Sequence, residues 1–175
     1  DDDCRSGTDR CAKAIELIDG DVFVNIQGDE PLINPDAIDT LVEKFDRSIG
    51  IGNAYVYVND DYKLHDSNVV KVVTDLNNNA VYYSRYGIPF HKKEEVPFKQ
   101  QLGLYAFNRH MLEMFTELKV GELEKTESVE MLRYIENGFA VRMIEVEDHG
   151  LSVDTIDDLK RVEEFLNAVH WCDRN

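Results

Sequence analysis

One arrangement repeats along the chain: a short apolar run of strand type, a turn, then a stretch whose apolar residues recur every three or four positions. Residues 21–26, 51–58, 102–107 and 139–146 read as strands, and residues 8–18, 35–45, 109–118, 124–137 and 155–169 as helices. Strands that alternate with helices predict a mostly parallel α/β sheet flanked by helices, of Rossmann-like type. Two β-rich runs, 68–74 and 80–85, are joined by Leu76-Asn77-Asn78-Asn79. That asparagine cluster is a turn signal, so the pair reads as an inserted β-hairpin. The run 21–26 is expected to be buried on both faces. The stripe Leu159, Val162, Phe165, Leu166 and Val169 of the last helix is expected to point inward.

The 175 residues suit a single domain, 1–175, with a sizeable core. Thirty-five acidic residues against 19 basic ones give a formal charge of −16. Such a surface repels nucleic acid and anionic membrane, so neither is an expected partner. No apolar run approaches the length that spans a bilayer, and no signal peptide opens the chain. The three cysteines, Cys4, Cys11 and Cys172, form no CxxC pair. With no disulfide framework or zinc site, a reducing cytoplasm is the expected location.

Parallel α/β sheets bind ligands at the carboxyl ends of their strands, which directs attention to the loops there. Gln27-Gly28-Asp29-Glu30-Pro31 follows the first strand. A glycine and two acids at a strand end suit a hard cation such as Mg²⁺, although the same residue types also form plain surface turns. Ser152-Val153-Asp154-Thr155 opens the last helix. Asp154 is either a residue of the helix start or a second carboxylate for the same Mg²⁺. In Arg5-Ser6-Gly7-Thr8-Asp9-Arg10, glycine and small hydroxyls before a helix offer either an anion-binding turn or an ordinary cap. Arg85 ends a strand, with Lys71 on the partner strand, and is either a surface arginine or a planar clamp for a carboxylate.

Taken in order, these motifs say more than any one of them. Ser6-Gly7-Thr8-x-Arg10, Gln27-Gly-Asp-Glu-Pro31, Asn68-x-Val-Lys71, Tyr83-Ser-Arg85, Leu102-Gly-x-Tyr105, Leu123-Glu124-x-x-Glu127, Leu132-Arg133 and Val153-Asp-Thr155 run through nearly the whole chain. In this order they resemble the CMP-Kdo synthetases, a family of sugar cytidylyltransferases. The resemblance implies transfer of a cytidylyl group from CTP to an acidic 3-deoxy-2-keto sugar, with Mg²⁺ as cofactor, for lipopolysaccharide or capsule synthesis. It implies that Asp29 and Asp154 hold the metal and act in catalysis with Lys71. It implies that Gln27, Arg85, Gln101, Tyr105 and Glu130 face the sugar acid, and that Ser6, Gly7 and Arg10 lie near the nucleotide. It also implies a homodimer; the apolar Tyr105, Met111, Met114, Phe115 and the helix at 124–137 read either as surface for that contact or as ordinary core packing.

Three features depart from the family pattern. The strand and basic loop that grip the triphosphate would precede Asp1, so the domain reads as N-terminally incomplete and the chain alone is expected not to turn over. Gln101 stands where the family usually has histidine, and Met131 where many members have glutamine. Both are expected in the sugar pocket. Two alternatives stay open at this point, a cytidylyltransferase for a sialic-acid-like sugar and a non-catalytic dimerising or sugar-binding fragment.

Overall fold

The computed structural model describes residue 4 and residues 6–90, 96–148, 152–153 and 155–172, with side chains up to 167. Helix α1 (Gly7–Ala14) starts on the cap Ser6, whose hydroxyl accepts from Asp9 N at 3.1 Å. It leads to strand β1 (Phe23–Ile26), then to α2 (Pro35–Glu43), capped by Asn34 with Pro35 in the first turn. Strand β2 (Ile51–Val58), the short helix α3 (Asp61–His65) and strands β3 (Lys71–Thr74) and β4 (Ala80–Ser84) follow. The long strand β5 (Phe98–Phe107) precedes α4 (Arg109–Glu117), α5 (Glu122–Glu127), α6 (Met131–Glu136), β6 (Arg142–Glu145) and α7 (Ile156–Cys172).

The strand order is β4-β3-β5-β2-β6, with β1 paired to β5. The helix-flanked α/β architecture and the hairpin β3–β4 match the sequence reading, but the sheet is mixed rather than mostly parallel. Strands β1, β2, β3 and β6 share one direction, yet among the described pairings only β2–β6 is parallel. The reason is β5. It is reached from β4 with no crossover helix among the described residues, and a parallel neighbour needs such a crossover. It therefore enters reversed, between strands that run the other way.

β1 and β3 lie on the same edge of β5, one beyond the other. Ile26 pairs with Leu104, and Lys71 pairs with Gln100. Between them the edge line breaks opposite Gln101–Gly103. On the other edge, the β2 register jumps from Asn53↔Tyr105 to Tyr55↔Gln101. At this bulge, the buried Asn53 amide donates to the carbonyls of Leu102 and Leu104, at 3.0 Å each, and its oxygen accepts from the Tyr83 hydroxyl at 3.1 Å. A buried side chain thus replaces ladder bonds that the bulge removes.

Two apolar clusters cover the two faces of the sheet. One joins Leu41 and Ala37 of α2 to Leu102, Leu104 and Ala106. The other joins Phe107 to Phe115, Tyr134, Met131 and Leu132 of the later helices. Alternation along β5 therefore puts Leu102 and Leu104 on one face and Gln101, Gly103 and Tyr105 on the other.

Several expectations change. The helix expected at 124–137 is two helices, because Ser128 takes a left-handed conformation with φ 54° between α5 and α6. Ile26 is 42% exposed, so β1 is not buried on both faces. In α7, Leu159, Phe165 and Leu166 are exposed and only Val162 is buried among the described side chains; the Val169 side chain lies outside them. Tyr105, Met111 and Phe115, read either as surface for a dimer or as core packing, are core residues, and Met114 packs against the same cluster. Helix α3 was missed because five residues are too few to show a period.

Replacing Asn53 with Leu leaves two buried carbonyls without their partner and the Tyr83 hydroxyl with only the Met143 sulfur. At about 1–3 kcal/mol per unsatisfied buried group, partly relieved by relaxation, the expected loss is about 3 kcal/mol. Tyr83→Phe, which removes the contacts of the hydroxyl with Asn53 Oδ1 and the Met143 sulfur, is expected to cost about 1 kcal/mol. Urea unfolding of both variants checks the ranking; equal midpoints would show that the bulge does not depend on Asn53.

Candidate active site

The break in the β5 edge opens a cleft of about 660 Å³. The loop 27–30 closes one end of it. Gln27 N donates to Gly103 O at 2.9 Å, and Gly103 N donates to Glu30 Oε1 at 3.0 Å. Gly103 is required here for close approach: a Cβ on it would lie 2.9 Å from Gln27 Cβ and Cγ. Its place in the Leu-Gly-x-Tyr motif thus has a packing reason. The other end is closed where Gln101 N donates to Val70 O at 2.9 Å.

Six residues expected at the sugar and metal sites line this one cleft: Gln27, Asp29, Arg85, Gln101, Tyr105 and Glu130. They come from four separate parts of the chain. The Tyr105 hydroxyl accepts from the Gln101 amide at 2.9 Å. Burial, then the nearby Glu130 charge, push the Tyr105 pKa far up, so it stays a neutral phenol. Glu130 receives the N-terminus of α1: Gly7 N at 3.2 Å and Thr8 N at 3.3 Å, together with the Thr8 hydroxyl. Free N–H groups at a helix start offset its charge. Asn25 in turn donates to Thr8 Oγ1 at 3.3 Å.

Arg85 is held on several sides. Its Nε donates to Glu127 O at 2.7 Å and its Nη1 to Ser67 O at 2.9 Å. The Glu127 carboxylate accepts from Tyr82 at 3.0 Å, Ser84 at 2.9 Å and Arg85 N at 2.8 Å. Burial alone would raise the Glu127 carboxyl, but these bonds and the Arg85 charge hold it below its ordinary pKa.

The remaining expected residues lie elsewhere. Lys71 is fully buried and does not line the cleft; its ammonium donates to Asp66 O, Val69 O and Arg85 O at 2.9, 2.8 and 2.6 Å. Burial lowers its pKa, with the Asp66 charge opposing. Ser6 caps α1, and Gly7 backs onto the Gln27 side chain, where a Cβ would lie 3.0 Å from Gln27 Oε1. Arg10 is exposed and outside the cleft. Asp154 lies outside the described residues. Its neighbour Val153 donates through N to Asp29 O at 2.8 Å. Met131 is fully buried in the core and does not line the cleft, so of the two departures only Gln101 faces it.

Sequence reading missed part of the wall. Asp60, Tyr62 and Lys63 of the α3 region, and Thr155, Asp158 and Arg161 at the start of α7, also line the cleft. Among the described residues, seven acidic and three basic ones line it. This excess of carboxylates works against an anion that enters the cleft. Among the described residues no side chain donates a hydrogen bond to the Asp29 carboxylate. Two motifs prove structural. Arg133 makes a bidentate pair with Glu124, at 2.8 and 2.6 Å, with both side chains buried, and stacks on Phe115.

A family model described as cytidylyltransferase matches residues 1–148. A 3-deoxy-manno-octulosonate cytidylyltransferase from Solibacter usitatus (strain Ellin6076) is 41% identical over 167 residues, covering 93% of this chain and 66% of the relative. Its namesake from Chlorobium limicola (strain DSM 245 / NBRC 103803 / 6330) is 42% identical over 168 residues, covering 93% and 68%. The chain thus spans about two thirds of the length of these curated relatives. The structure of a CMP:2-keto-3-deoxy-manno-octonic acid synthetase complexed with CTP superposes with a TM-score of 0.87 at 30% identity, covering 95% of this chain and 70% of that one. An inositol-1-phosphate CTP transferase from T. maritima shares the fold alone, with a TM-score of 0.58 at 14% identity. The order of motifs, the sheet that carries them and these relatives agree: the chain belongs to the cytidylyltransferase family.

Proposed function

We propose that this chain forms the sugar-binding and metal-binding part of a 3-deoxy-manno-octulosonate cytidylyltransferase. In the reaction, the anomeric hydroxyl of an acidic 3-deoxy-2-keto sugar attacks the α-phosphate of CTP. An O–P bond forms as the hydroxyl proton is released, the bond to the bridging oxygen breaks, and pyrophosphate leaves with the CMP-sugar as co-product. Such an activated sugar acid serves lipopolysaccharide or capsule assembly. The observation that carries this reading is the meeting of Gln27, Asp29, Arg85, Gln101, Tyr105 and Glu130 in one cleft.

Each residue has a chemical part in this reading. Arg85, fixed by its carbonyl partners, keeps N–H groups for the sugar carboxylate. Gln101 spends one N–H on Tyr105, which leaves its amide oxygen to accept and the Tyr105 O–H to donate to sugar hydroxyls. Glu130 accepts from hydroxyls while α1 offsets its charge. Asp29, with Asp154 beside it in this reading, would hold Mg²⁺, which when bound neutralises and orients the phosphates. In a homodimer, also part of this reading, the cleft would lie within each protomer.

The test is pyrophosphate release from CTP and Kdo by the enzyme carrying this sequence; a CMP-sugar product is expected, and no product with Kdo or related sugar acids would reject the reading. In that assay Asp29→Asn is expected to reduce turnover at least about a hundredfold. Near-normal turnover at ordinary Mg²⁺ would remove Asp29 from the metal site. Arg85→Ala is expected to weaken sugar-acid binding about tenfold or more while CTP binding holds. Calorimetric titration checks this, and a loss confined to CTP would place Arg85 on the nucleotide side.

A further inference from the structure

A lysine is almost never fully buried without a carboxylate partner, yet Lys71 is 0% exposed and its three N–H groups all go to backbone carbonyls. Two of those carbonyls, Asp66 O and Val69 O, belong to the loop before β3. A third carbonyl of the same loop, Ser67 O, accepts from the Arg85 guanidinium at 2.9 Å. The loop thus turns three carbonyls toward two cations. Lys71 also holds Arg85 itself, through Arg85 O at 2.6 Å. Asp66, Val69 and Arg85 all line the cleft, whereas Lys71 does not. The ammonium therefore joins two walls of the cleft from behind.

We infer that Lys71 is a positioning residue: it sets the loop 66–69 and Arg85 in the geometry that binds the anionic substrate, and it takes no part in the chemistry. This deepens the proposed function and rests on that reading for the identity of the substrate. A neutral stem at position 71 would leave three carbonyls unpaired, and the loop would turn to satisfy them elsewhere. Arg85 would then lose Ser67 O as an orienting partner. A displacement of about 1 Å in a charged clamp is enough to cost tenfold or more.

The experiment compares Lys71→Met and Lys71→Arg in the enzyme carrying this sequence. For Lys71→Met the KM for Kdo is expected to rise about tenfold or more, with kcat and the KM for CTP within about threefold. Lys71→Arg, which keeps charge and donors, is expected to recover most of that affinity. A merely structural role would lower the amount of active enzyme without raising the KM for one substrate alone. Hydrogen exchange, read without any ligand, is expected to speed up at residues 66–70 and at Arg85 in Lys71→Met. Should that variant fail to fold, Lys71→Gln, with donors on a shorter stem, reads the same quantities. A kcat loss beyond about a hundredfold with an unchanged KM would put Lys71 in the chemistry and overturn the inference. Unchanged KM and unchanged exchange would overturn it as well. If the unaltered enzyme shows no turnover with Kdo, the functional reading fails, and the exchange comparison still decides whether Lys71 ties the two walls.

Discussion

The backbone of β5 must satisfy its hydrogen bonds although neither edge offers it an unbroken neighbour, and much of the structure answers that requirement. On one edge β1 stops and β3 begins, so the groups of Gln101 and Gly103 find partners in Val70, Gln27 and Glu30 instead. On the other edge the β2 bulge leaves the carbonyls of Leu102 and Leu104 to the Asn53 amide. An orphaned backbone group in the interior costs as much as a lost hydrogen bond. The loops that supply these partners are therefore held in place, and they are the loops that wall the cleft. The site is a consequence of how a reversed strand is accommodated in the sheet.

In the cleft wall and behind it, charge is stabilised by fixed neighbours instead of water. Glu130 sits on the start of α1, Glu127 on three donors from β4 and its end, and Lys71 on three carbonyls. Glu124 and Arg133 face one another in the core between α5 and α6. Buried charges tolerate this only when all their bonds are made. Among the described residues the cleft surface itself carries an excess of carboxylates, which suits unaided anion binding poorly. The family to which the chain belongs handles both a nucleotide and, in the relatives named above, a sugar acid.

Periodicity made most of the elements legible. The helices at 35–45 and 109–118 and the strand at 51–58 appear almost where expected, because each is long enough for its apolar spacing to repeat. The hairpin was legible from its asparagines, and Asn78 does take a positive φ of 58°. What failed was short or non-local. Helix α3 has five residues, and the break between α5 and α6 depends on one left-handed serine. Strand direction failed too, since nothing in the β5 sequence says which way its neighbours run.

The sequence by itself determined the α/β class, the order of motifs and the residue types that meet in the cleft, because these follow from local spacing and side-chain chemistry. Only the tertiary structure decided what each residue does there. Gln101 and Met131 look alike as departures in the sequence, but strand alternation turns one into the cleft and helix packing sends the other into the core. Lys71, Arg133 and Glu124 belong to the same ordered motifs as Arg85 and Tyr105, yet they are spent on carbonyls and on each other. Whether a charged side chain faces a ligand or holds a wall depends on which partners lie within about 3 Å of it, and those partners come from parts of the chain that only folding brings together.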